Sequence, residues 1–185
     1  MNLNKYKLLA GDASFRKFYR SSQNSVIVFS KKNKYLNLAI YDAVNSCLIK
    51  NGINAPKLKK EFYNKNYIEI EDLGNETIFK TLKKHKNKKK IYYKVIKILQ
   101  LIQKIQTKNL VTFKKNKYKI PQYTKAKILN EANLFLEWYL PKVIKTPRIR
   151  KIKKEIKHSF VNLFKKLKLK KKYLCIEIFM FQIWC

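Results

Sequence analysis

The spacing of apolar positions changes several times along the chain, and each change predicts an element. After a short mixed stretch over residues 5–10, Gly11-Asp12-Ala13-Ser14 is a turn of small and polar residues. Phe15 to Arg20 alternates bulky and basic side chains, which predicts a strand. Ser21 to Ser25 is a second turn. Val26-Ile27-Val28-Phe29 is a continuous apolar run, the pattern of a strand buried on both faces. Two strands across a short polar loop predict a hairpin. From Tyr35 to Lys50 the period lengthens, with Leu36, Ala39, Ile40, Val44, Cys47 and Leu48 at helical spacing. Asn51-Gly52 ends this helix, because glycine is most at ease beyond a helix C-terminus, and Pro56 blocks its resumption.

Phe62-Tyr63 and Tyr67-Ile68-Glu69-Ile70 flank Asn64-Lys65-Asn66, a second hairpin pattern that Glu71-Asp72-Leu73-Gly74-Asn75 closes. Thr77 to Lys84 predicts a short helix. Ile91 to Gln106 carries Tyr92, Val95, Ile98, Leu99, Ile102 and Ile105 on one stripe, an amphipathic helix. Residues 107–121 read as an irregular connector. Lys125 to Leu140 is a helix with a wide apolar face that includes Trp138, stopped by Pro141. A basic helix follows from Pro147 to Lys172, with Ile149, Ile152, Ile156, Phe160, Leu163 and Leu167 on its inner stripe. Tyr173 to Cys185 is the last segment. Two strands, a helix, two strands and then helices only predict an α+β fold with segregated layers. The lobes implied are residues 1–74 and 75–175, with 176–185 as a separate tail.

Composition first suggests a polyanion binder. The 185 residues carry a formal net charge of +33, from 44 basic and 11 acidic side chains. The kind of charge changes that picture. Lysine supplies 40 of the 44 and arginine 4, whereas specific phosphate and base recognition favours the planar fork of arginine. Lys, Asn, Ile, Phe and Tyr share A/T-rich codons, so a biased genome explains a lysine-coated surface without a nucleic-acid partner. Cys47, Cys175 and Cys185 make neither a disulfide framework nor a zinc spacing, and His85 and His158 add no metal cluster. No apolar leader and no run of roughly 20 apolar residues is present, so the expected setting is cytoplasmic, with no transmembrane segment.

Four segments carry a resemblance. Gly11-Asp12-Ala13-Ser14-Phe15-Arg16-Lys17-Phe18-Tyr19-Arg20 is similar to the opening motif of aminoglycoside-phosphotransferase-like kinases. The nearest subgroup is the bacterial cell-wall amino-sugar kinases, which phosphorylate N-acetylmuramate or N-acetylglucosamine at the anomeric position. Gly52-Ile53-Asn54-Ala55-Pro56 resembles the family's segment after the first helix. Ile70-Glu71-Asp72-Leu73-Gly74 resembles its hinge, and Glu131 to Trp138 its later helix. The four occur in order, and the resemblance covers roughly residues 5–175.

The resemblance implies a protein-kinase-like N-lobe, a small antiparallel sheet plus one helix, followed by a partial helical C-lobe. It implies ATP, or another nucleoside triphosphate, with Mg²⁺, and a sugar-like acceptor. Gly11, Asp12, Ala13 and Ser14 would cradle phosphates through their backbone N–H groups, with Arg16 as a further phosphate contact. Glu69, Glu71 and Asp72 would lie at the hinge, where adenine is read by backbone groups. Two expected features are missing. The strand Val26 to Phe29 has no lysine, and Asp42 is the only acid of the following helix, so the usual strand-lysine and helix-glutamate pair is not visible. No aspartate follows Asp72, so neither the catalytic base nor the Mg²⁺ ligands occur. The chain as written is expected to be inactive in phosphoryl transfer. The other function classes that the sequence leaves open are a basic nucleic-acid or anionic-membrane binder and a non-catalytic pseudokinase.

The tail sharpens this expectation. One permitted codon choice for Ile176 to Cys185, read two nucleotides later, encodes Arg-Asp-Phe-His-Val-Ser-Asn-Leu-Val, the kind of catalytic loop that the resemblance requires. Sequencing the locus tests this reading. Kinase-like codons in a shifted frame from about residue 176 are expected, and an uninterrupted frame with none downstream refutes it.

Overall fold

A computed structural model describes residues 3–11, 15–21, 24–106, 109–121, 124–145 and 147–166. The α+β class holds. The short strand that the resemblance places at Tyr173-Leu174-Cys175, and the tail 176–185, lie outside the described residues.

A five-stranded antiparallel sheet has the order β1-β2-β3-β5-β4. Its strands are β1 (Lys7–Gly11), β2 (Lys17–Arg20), β3 (Ser25–Phe29), β4 (Leu58–Phe62) and β5 (Tyr67–Glu71). Three strands therefore precede the first helix, where the apolar pattern predicts two. Residues 5–10 were the missed signal. β1 sits at the sheet edge, and Leu8 is half exposed while Leu9 packs inward. Such a strand shows little alternation, and its identity comes from pairing with β2. The other edge, β4, exposes Lys59, Lys60 and Glu61, charges that discourage pairing with another chain.

β3 is central and fully apolar on both faces, as its unbroken run predicts. Val26 pairs with Ile70 and Val28 with Ile68, and these four meet Leu38 and Tyr41 in one core cluster. Ile27, on the opposite face by strand alternation, is also buried.

The helix predicted over Tyr35 to Lys50 forms as a π-helical stretch, Tyr35–Ile40, running into α1 (Tyr41–Lys50). It packs on two sides. Leu38 and Tyr41 face the sheet, while Ile40, Ala43, Val44, Cys47 and Leu48 meet Ile102, Ile105, Leu110 and Ile120 in a second cluster. Its end is a Schellman motif. Gly52 has φ +74°, its N–H donates to the Ile49 carbonyl, and the Ile53 N–H donates to the Leu48 carbonyl, both at 3.0 Å. Ile53 then packs in the same cluster as Leu48, the apolar contact that accompanies this motif. The Gly52-to-Pro56 segment is thus a helix stop in the structure.

Thr77 and Asn87 cap α2 (Ile78–Lys84) and α3 (Lys88–Lys104), each accepting a backbone N–H at 3.2 Å. The apolar stripe of α3 is covered only at its C-terminal end. Ile102 and Ile105 are buried and Leu99 packs beside them, whereas Tyr92 and Ile98 are exposed. The connector over 107–121 is not irregular throughout. It contains a small hairpin, β6 (Asn109–Val111) with β7 (Lys117–Lys119), which buries Leu110 against α1's outer cluster. Helices alone therefore do not make up the second half. Three-residue strands are too short for a period-2 pattern to register.

Contacts group the described residues into one compact unit reaching Ile120 and another starting at Pro121. The second unit holds α4 (Lys125–Leu134), a π-helical stretch Phe135–Tyr139, α5 (Leu140–Val143) and α6 (Ile149–Lys166). Pro141 does not stop the helix. The Leu140 N–H already donates five residues back to Phe135, so Pro141 falls in the first turn of a new segment, where its missing N–H costs nothing. Leu136 and Leu140 are buried, and Phe135 meets Phe160 of α6 edge-on at 6.5 Å. Trp138, expected in the core, is 71% exposed, because the buried face follows Leu136 and Leu140. No helix among the described residues is long and apolar enough to cross a membrane.

One buried charge makes the first unit's stability pH-dependent. Asp42 of α1 is 5% exposed, its Oδ1 has no hydrogen-bond partner among the described residues, and burial raises its pKa from 3.8 to about 6. The raised value means that the folded state holds the proton more tightly. Stability from this group is full below pH 4 and is lost as pH rises through about 6. Asp42→Asn should therefore raise Tm at pH 8 and change it little at pH 4, as thermal melts at the two pH values will read.

Candidate functional site

Gly11 ends β1 and pairs with Lys17, the first residue of β2. This pair lies at one end of the sheet. Asp12, Ala13 and Ser14, the rest of the expected phosphate loop, lie outside the described residues. Arg16 is buried, and its guanidinium carbon lies 4.7 Å from the centre of the Tyr41 ring. An arginine stacked on an aromatic face of α1 ties the end of this turn to the helix. Its neighbour Phe15 is exposed, with Lys32 Nζ 5.1 Å from its ring centre.

The hinge-like residues gather at the opposite end of the sheet. Glu69 lies on the face opposite α1, opposite Ile27 of β3 and Lys60 of β4. Glu71 ends β5 opposite Ser25, its N–H donates to the Lys57 carbonyl at 2.8 Å, and its Oε2 accepts the Lys57 N–H at 3.4 Å. Asp72 is 12% exposed in its side chain and is engaged by Arg20, the last residue of β2. Arg20 Nε donates to Asp72 Oδ2 at 2.5 Å and Nη2 donates to Oδ1 at 2.8 Å, a bidentate fork. Nη2 also donates to the Gly74 carbonyl at 3.1 Å, and Nη1 to Asn75 Oδ1. The Gly74 N–H closes back on Asp72 Oδ1 at 2.8 Å, an Asx turn. Gly74 has φ +90°, and a Cβ there would meet nothing within 4 Å, so backbone conformation rather than space calls for glycine.

Strand alternation explains why these groups meet. Arg20 pairs with Val26, Val26 with Ile70, and Asp72 is two residues beyond Ile70, so Arg20 and Asp72 project on one face. The sequence quotes both residues inside motifs but carries no signal that they are partners, since 52 positions separate them. The hydrogen bonds from Arg20 hold the Asp72 carboxyl below its usual pKa. Among the described residues no group of three or more His, Cys, Asp or Glu side chains gathers as a metal site.

No protein-family model, no curated protein and no solved structure matches this chain.

The lowered Asp72 pKa has a definite acid-side signature. The folded value lies below the unfolded one, so this stabilisation is present above about pH 4 and is lost as pH falls through the folded value. Asp72→Asn should cost about 1–2 kcal/mol at pH 7, allowing for partial exposure. It should also flatten the decline of stability below pH 4, as denaturant melts across pH 2–7 will show.

Proposed function

We propose that this chain is the nucleotide-binding portion of an ATP-dependent small-molecule phosphotransferase of the aminoglycoside-phosphotransferase-like type, with a sugar or amino-sugar hydroxyl as acceptor. The supporting observation is the arrangement of two motif segments on one sheet. The paired residues Gly11 and Lys17 of the first motif lie at one end of β2, and the Ile70-to-Gly74 segment is held at the other end through Arg20. Three residue steps along β2 separate them, about 10 Å at the rise of an extended strand. That length separates the base from the phosphates of an extended nucleotide. The antiparallel sheet with a helix between β3 and β4, and helices after it, supports the same reading.

In this reading the base lies against the segment from Glu71 to Gly74, and the phosphates approach the turn that starts at Gly11. The nucleotide follows the sheet face opposite α1, past the half-buried Tyr19 and Glu69, which flank the buried Ile27. The described acids do not fit a Mg²⁺ site, and the motifs for a catalytic base are absent from the sequence. Binding, and no transfer step, is therefore assigned to this chain.

A nucleotide-dependent melt tests the proposal. ATP at about a hundred times its Kd should stabilise the folded chain by about 2.7 kcal/mol, which a Tm shift of several degrees will report. No shift with ATP, together with DNA or anionic-vesicle binding that falls steeply with salt, overturns it in favour of a polyanion binder.

A further inference from the structure

We propose that Arg20 is the positioning residue for base recognition, setting the backbone of the Asp72-to-Asn75 segment so that it discriminates adenine. This rests on the nucleotide-binding reading above. One guanidinium reaches three residues of that segment: the Asp72 carboxylate, the Gly74 carbonyl and the Asn75 side-chain oxygen. Four of its five N–H groups are engaged. The segment is neither helix nor strand and contains a glycine at positive φ, so no regular ladder fixes its peptide orientations. The fork from β2, with the Asx turn inside it, does so instead.

The choice of residue follows from the geometry. Lysine presents a point charge, whereas the planar fork fixes both distance and direction across two carboxylate oxygens. Recognition of a base by backbone N–H and C=O groups depends on those directions, because hydrogen bonds weaken steeply off-axis. The phosphate end of the sheet is remote from this clasp. Loss of Arg20 should therefore weaken contacts to the base and spare contacts to the phosphates.

The test compares ATP, GTP and inorganic tripolyphosphate on the full chain by calorimetry, in about 0.3 M salt to screen the lysine surface. In Arg20→Lys, ATP affinity should fall about tenfold, one hydrogen-bonded recognition contact's worth, and the ATP-to-GTP preference should narrow. Tripolyphosphate affinity should stay within about twofold of the parent, because its counter-charges are unchanged. Asn75→Ala, which removes one partner and keeps the fork on Asp72, should move ATP affinity the same way by a smaller factor. If ATP and tripolyphosphate weaken together in both variants, Arg20 only holds the fold and the inference fails. It fails equally if neither ligand changes. If the unaltered chain binds no ATP, the nucleotide-binding reading itself fails, a separate outcome from the other two.

Discussion

Burial of the first helix on two sides is the constraint on which the first unit depends. Leu38 and Tyr41 complete the core under β3 and β5, while Ile40, Val44 and Cys47 close a second core with the end of α3 and the small β6–β7 hairpin. A helix apolar around most of its girth is stable only when both sides are covered. That requirement explains why a hairpin of three-residue strands forms at all: Leu110 has a place in α1's outer cluster. It also explains the sharp exit at Gly52, since the Schellman turn returns Ile53 to the same cluster. The helix accepts a cost at Asp42, whose carboxyl is held neutral up to about pH 6 by burial.

The second organising contact is ionic and local. In a chain of 40 lysines, two of the 4 arginines sit at contacts that join β2 and the turn before it to other elements. Arg16 stacks on Tyr41, and Arg20 forks across Asp72 and reaches Gly74 and Asn75. The fork on Asp72 requires a planar guanidinium. Many of the lysines, by contrast, coat exposed positions such as Lys60 and the exposed face of α6. Arginine placement is thus a better guide to candidate function here than net charge. It links the end of β2 to the segment proposed to read a base, and the start of β2 to the helix.

Much of the fold was legible in the residues. The unbroken Val26-to-Phe29 run marks a strand apolar on both faces, Asn64-Lys65-Asn66 marks a hairpin that closes with Asn66 in left-handed backbone, and Asn51-Gly52 marks a helix end. Each is a local choice of backbone conformation or burial, encoded within a few residues. The caps at Thr77, Asn87 and Thr124 are equally local, although the apolar spacing alone did not point to them. Of the candidate site, the sequence marked the participants at both ends of the sheet without revealing that Arg20 and Asp72 meet.

What remained hidden depends on neighbours distant in sequence. β1 is a strand because β2 lies beside it, and β6 and β7 exist because α1 has an outer face to cover. Trp138 stands exposed because packing selected the Leu136 and Leu140 face, a choice between two apolar faces that periodicity cannot make. Pro141 continues a helix because the turn before it had already widened. By itself the sequence determined the first two turns, the stop at Gly52 and which strand is buried. Only the tertiary structure decided which apolar face is covered and which charges meet, because both are settled by surfaces that come together after local structure has formed.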